Sequence, residues 1–106
     1  MSTTKRVLPA PVVRIAINRP DLEEISEQLE EVQVVITGLL TGERATVYYH
    51  LSQTHPTAIA EGITGNPVVI PLNYPHYRGY AGETASIYYE IRPGGVSQEL
   101  SIEIVK

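Results

Sequence analysis

The chain is patterned mostly in twos. Val32, Val34 and Ile36 fall on one side of residues 32–37, and Ala45, Val47, Tyr49 and Leu51 on one side of 44–52. Ala85, Ile87, Tyr89 and Ile91 do the same in 84–92, and Leu100, Ile102 and Ile104 in 96–105. Alternation of this kind marks half-buried strands. Residues 67–72 form a further short apolar strand. Residues 7–17 read as an extended edge segment in which Val13, Ile15 and Ile17 alternate. Pro9 and Pro11 lack the N–H that a ladder needs, which suits an edge. Gly38, Thr41-Gly42 and Pro93-Gly94-Gly95 punctuate the strands, the last as a hairpin turn. Residues 53–66, with room for one short strand, and 73–82 read as loops.

One stretch keeps a different period. Leu22, Ile25, Leu29 and Val32 follow the 3, 4, 3 spacing of a helical face. Asn18 is a suitable N-cap, Pro20 suits the first turn, and acids follow where the helix dipole favours them. A short helix is therefore predicted within residues 20–31. Six or seven short strands in about 100 residues otherwise predict an all-β fold, an immunoglobulin-like antiparallel β-sandwich. Residues 1–106 make one domain, with 1–11 as a linker or edge segment.

An internal echo sharpens the topology. Gly42-Glu43-Arg44-Ala45-Thr46-Val47-Tyr48-Tyr49-His50-Leu51 matches Gly82-Glu83-Thr84-Ala85-Ser86-Ile87-Tyr88-Tyr89-Glu90-Ile91. Two copies are too few for a solenoid. In an immunoglobulin-like sandwich two central strands of one sheet lie side by side and antiparallel, so the echo predicts a pseudo-twofold between them. Tyr49 and Tyr89 would then enter the core, and Tyr48 and Tyr88 would face outward on the same sheet.

Composition fits this picture and restricts the chemistry. Val, Ile, Thr and Tyr, all at home on a pleated surface, are abundant. Cys, Trp and Phe are absent, so all 7 aromatic residues are Tyr. Without Cys there is neither a disulfide framework nor a thiolate ligand or nucleophile. The net charge is −4. Asp21, Glu23, Glu24, Glu27, Glu30 and Glu31 crowd into residues 21–31, a solvated acidic face. No basic stripe exists for phosphate contacts, which argues against nucleic acid. No apolar run is long enough to span a membrane as a helix.

Candidate chemistry is sparse. No G-x-S-x-G elbow accompanies His50, His55 and His76, and their spacing matches no metal signature. With Asp21 as the single Asp, a clustered calcium site is not expected. No catalytic residue, metal or cofactor is therefore predicted. The richest segment is 73–80, where Tyr74, His76, Tyr77, Arg78 and Tyr80 fall together between turn-forming residues. Tyr and Arg are favoured at binding hot spots, and Tyr faces stack on sugars. The alternative is that these rings pack down over one end of the sandwich. Tyr48 and Tyr88 form a second candidate, with simple cross-strand pairing as the alternative.

The succession Leu-Pro-Ala-Pro-Val-Val (8–13), Gly-Glu-x-Ala-x-Val-Tyr-Tyr (42–49), Val-Val-Ile-Pro (68–71), Gly-Glu-Thr-Ala-Ser-Ile-Tyr-Tyr-Glu-Ile (82–91) and Pro-Gly-Gly-Val-Ser-Gln-Glu-Leu-Ser-Ile-Glu-Ile (93–104) resembles tandem bacterial immunoglobulin-like repeats. That resemblance implies a non-catalytic structural or adhesive module of a large surface or secreted protein, in contact with neighbouring repeats or a protein partner. The acidic stretch 20–31 and the Tyr-rich segment 73–80 are richer than a plain spacer needs. Two other readings stay open: a carbohydrate-binding sandwich using 73–80 with Tyr48 and Tyr88, and a stand-alone assembly domain. The start of the chain does not read as a signal peptide, so a cytoplasmic location is the alternative to the cell surface.

Overall fold

Two sheets face each other across an aliphatic core. The computed structural model describes residues 8–14, 24–29, 32–51, 55–72, 74–92 and 94–106, with Tyr74 and Pro75 described by their backbone alone. Strands β1 (Val12–Arg14), β3 (Val32–Ile36) and β6 (Val68–Leu72) form the smaller sheet, in the order β1-β3-β6. Strands β2 (Glu24–Ser26), β4 (Arg44–Leu51), β5 (Thr57–Ile63), β7 (Thr84–Arg92) and β8 (Leu100–Val105) form the larger one, in the order β2-β8-β7-β4-β5. A single helical turn, α1 (Tyr74–Tyr77), joins β6 to β7. All neighbours are antiparallel except β2, which runs parallel to β8. The chain crosses between sheets at every connection except β4–β5 and β7–β8, and this strand order is that of an immunoglobulin-like sandwich.

The alternating positions do what their pattern predicts. Val34 and Ile36 of β3 and Val68 and Leu72 of β6 face Ala45 and Val47 of β4, Ala85 and Ile87 of β7 and Ile104 of β8, all buried. Central strands β4 and β7 pair from Arg44↔Arg92 to Leu51↔Ala85, with Tyr48 directly opposite Tyr88. The echo segments are thus antiparallel neighbours in one sheet, as expected.

Several boundaries differ from the sequence reading. The helix expected over 20–31 does not form where this stretch is described. Glu24–Ser26 is strand β2, in register with Glu103–Val105. Ile25 is fully buried there, and the Glu27 N–H donates to the Val105 carbonyl at 2.7 Å. A helix this short is marginal by itself. The open edge of β8 supplies a ladder and a pocket for Ile25, and tertiary pairing prevails. Residues 20–23, 30 and 31 lie outside the described residues, as do 7 and 15–17 of the predicted edge segment and 1–7 of the segment read as a linker. Residues 57–63 form a full edge strand with a bulge against β4. The last strand begins at Leu100 rather than Val96, which keeps one isolated bridge to Glu90.

With no Phe or Trp, Tyr supplies the large core rings. Tyr49, Tyr77 and Tyr89 are all buried, and each hydroxyl donates to a backbone carbonyl. Tyr49 reaches His76 at 2.7 Å, Tyr77 reaches Leu29 at 2.5 Å, and Tyr89 reaches Pro9 at 2.9 Å. A buried hydroxyl needs such a partner. Each ring therefore ties a connecting segment to the sandwich while filling the core.

Candidate functional site

The Tyr-rich segment 73–80 divides between inside and outside. Pro75 falls early in α1, where its missing N–H costs no helical bond. Tyr77, at the end of that turn, is fully buried. Of the two readings of this segment, Tyr77 follows the one in which the rings pack down: its ring is a core element closing the end of the sandwich. His76 is half-buried, with its ring tilted against Tyr49 at 5.3 Å and its Nδ1 buried without a hydrogen-bond partner among the described residues. Its carbonyl accepts the Tyr49 hydroxyl. Arg78 and Tyr80 are exposed. The side chain of Tyr74 lies outside the described residues. The backbone just after the turn is held by Gly79 N–H to Glu27 Oε2 at 3.0 Å and by Tyr80 N–H to the Tyr77 carbonyl at 3.3 Å. His76 and Tyr77 thus face the protein, and Arg78 and Tyr80 face solvent.

The second candidate pair meets across the strands. Tyr48 and Tyr88 lie on the outer face of the larger sheet, half-buried, with ring centroids 5.1 Å apart and planes 20° apart. Stacking across the strands occupies one face of each ring, the arrangement that simple cross-strand pairing predicts. Desolvation raises the Tyr48 hydroxyl above its ordinary pKa, and the charge and hydrogen bond of Glu90 add to that, with smaller contributions from Tyr88 and Glu61. Glu90, two residues from Tyr88 along β7, is thus an acidic neighbour on the same face.

That face carries rows the sequence reading left unassembled. Along β4 and β7 the outward residues are Arg44 beside Arg92, Thr46 beside Glu90, Tyr48 beside Tyr88, and His50 beside Ser86. At the far end, Thr84 pairs with Glu103, and Glu103 pairs with Glu24. The alternation that put Tyr48 and Tyr88 outward also puts Arg44 and Arg92 outward, so that pair was within reach of the sequence. The Glu24–Glu103 pair was not, because it depends on the parallel strand β2.

A cleft of about 410 Å³ opens at the end of the sandwich opposite α1, between residues 39–43 and 64–66. Its one acid, Glu43, accepts the Leu40 N–H at 2.7 Å, and Asn66 accepts the Gly38 N–H at 3.0 Å. These side chains brace the turns that form the cleft. No family model, no curated protein and no solved structure matches this chain.

Proposed function

We propose that this chain is a non-catalytic structural and adhesive module, one sandwich within a larger surface protein, working through protein contact. The observation that carries this reading is the inward turn of the Tyr-rich segment. Tyr77, its central aromatic, is fully buried and bonded to Leu29, and His76 packs on Tyr49. The richest cluster of side-chain chemistry thus closes the fold, and the broad outer face of the larger sheet is what the molecule presents. Flat faces suit protein partners, whereas small-molecule sites are concave. The resemblance to bacterial immunoglobulin-like repeats supports the same reading, with neighbouring repeats as the first contacts. The carbohydrate-binding alternative keeps only Arg78 and Tyr80 as described exposed members of its loop.

The test is the reading frame that encodes the chain, together with a glycan array. Flanking sandwich repeats and an array without signal are expected. A frame confined to these residues, or a glycan signal abolished by Tyr80→Ala with Arg78→Ala, would contradict the proposal.

A further inference from the structure

We infer that the outer face of the larger sheet pairs with the same face of a second copy of this chain. The reason lies in two unfavourable like-charge pairs. Arg44 stands directly opposite Arg92, and Glu24 directly opposite Glu103. All four are exposed. None forms an ion pair with a described residue. Like charges in directly opposed positions destabilise a sheet, so a lone chain gains nothing from either pair.

Their placement makes the face complementary to itself. Tyr88 lies midway along β7 between Arg92, at one end, and Thr84, whose cross-strand neighbour is Glu103, at the other. At a rise of about 3.3 Å per residue the two ends are about 26 Å apart. Consider a twofold axis in the plane of the contact, crossing the strands at the Tyr48–Tyr88 stack. It sets each stack against its equivalent and turns the arginine end of one copy toward the glutamate end of the other. Arg92 of each copy then comes beside Glu103 of the other, twice over, while Arg44 and Glu24 lie two to three strands from their opposites and add longer-range attraction. The offset between β7 and β8 is one strand, about 4.8 Å, which an Arg side chain spans. The same axis brings Glu90 toward the row of His50 and Ser86 in the second copy.

The five strands, of 3, 8, 7, 9 and 6 residues, offer about 500 Å² per copy, about 1,000 Å² in total, the low end for a specific interface. The association is therefore weak, reversible and sensitive to salt, because its charges lie near the rim. It deepens the adhesive reading and rests on it for where the contact is used. The reading-frame test and the association test fail separately.

Sedimentation equilibrium of the intact chain tests the inference, with two charge-reversed variants, R44E/R92E and E24R/E103R. The wild type should show a monomer–dimer equilibrium in the micromolar range, weakened at least 10-fold by 0.5 M salt. Each variant alone should be monomeric, with an unchanged circular dichroism spectrum. Their equimolar mixture should form a heterodimer, because each reversed end meets its opposite. A monomeric wild type at millimolar concentration would overturn the inference. So would a wild-type dimer that survives both reversals, or a variant mixture that stays monomeric.

Discussion

Tyr48 and Tyr88 are Cα partners across β4 and β7, and they occupy equivalent positions of the internal echo, 40 residues apart. In this register no other pair of equivalent echo positions meets itself. The pseudo-twofold of the sheet therefore passes through their stacked rings. Stacked aromatic pairs contribute about 0.5–1.5 kcal/mol beyond area burial, and exposed cross-strand pairs lie toward the lower end. A double-mutant cycle with Tyr48→Ala and Tyr88→Ala, read by urea unfolding, should give a coupling of about 0.5–1 kcal/mol. A coupling near zero would mean that the rings pack independently.

Tyr77 should matter far more. Tyr77→Ala removes a fully buried ring and should cost about 3–5 kcal/mol, a large part of a domain's usual stability of about 5–15 kcal/mol. Tyr77→Phe keeps the ring but leaves the Leu29 carbonyl without its donor, and should cost about 1–3 kcal/mol. Denaturant midpoints of the two variants give both numbers. A Tyr77→Ala variant as stable as the wild type would place the ring outside the core.

Much of this was legible in the sequence. The period-two faces of β4 and β7 placed Tyr49 and Tyr89 inward and Tyr48 and Tyr88 outward, because alternation directly records which face is buried. Residues 24–26 were misread because Ile25 and Leu29 satisfy a helical spacing, and nothing local reveals that the edge of β8 awaits a strand. Tyr77 was ambiguous for a related reason: a Tyr in a loop packs inward or outward according to what lies beneath it. Here the Leu29 carbonyl, 48 residues away, accepts its hydroxyl. The charged ends of the outer face also rest on long-range register rather than on any motif.

The β7–β8 hairpin depends on residues that look unremarkable in sequence. Ser97 Oγ accepts the Tyr89 N–H at 2.9 Å, and the Ser97 N–H donates to the Tyr89 carbonyl at 2.8 Å. The side chain completes the ladder where the strand is irregular. Ser97→Ala should cost about 1–3 kcal/mol by leaving a buried N–H unsatisfied. Gly95 has φ +132°, and a Cβ there would come within 3.0 Å of Leu8 Cδ1 and 3.2 Å of Ile91 Cγ1. Gly95→Ala should therefore destabilise by at least about 1 kcal/mol, while Gly94→Ala, which meets open space, should be close to neutral. Thermal melts of the three variants test the ordering.

Alkaline pH should unfold the chain through Tyr49. Burial, with a smaller contribution from Tyr80, raises its hydroxyl well above the ordinary tyrosine value. The unfolded chain ionises near pH 10, where the folded one still holds its proton. The stability contributed by Tyr49 is thus fully present below about pH 10 and is lost as pH rises toward the folded value. Tyr49→Phe should flatten the fall in denaturant midpoint above pH 10. An unchanged slope would show that Tyr49 titrates normally in the fold.

The division of the tyrosines between fold and surface is tested most directly by chemical nitration of the native protein, mapped by peptide mass spectrometry. Tyr80, 43% exposed, should react first. Half-buried Tyr48 and Tyr88 should follow, more slowly at concentrations where two copies pair. Tyr49, Tyr77 and Tyr89 should stay unmodified until the protein unfolds. Rapid nitration of Tyr77 in the folded chain would contradict its place in the core and return the Tyr-rich segment to the surface as a binding loop.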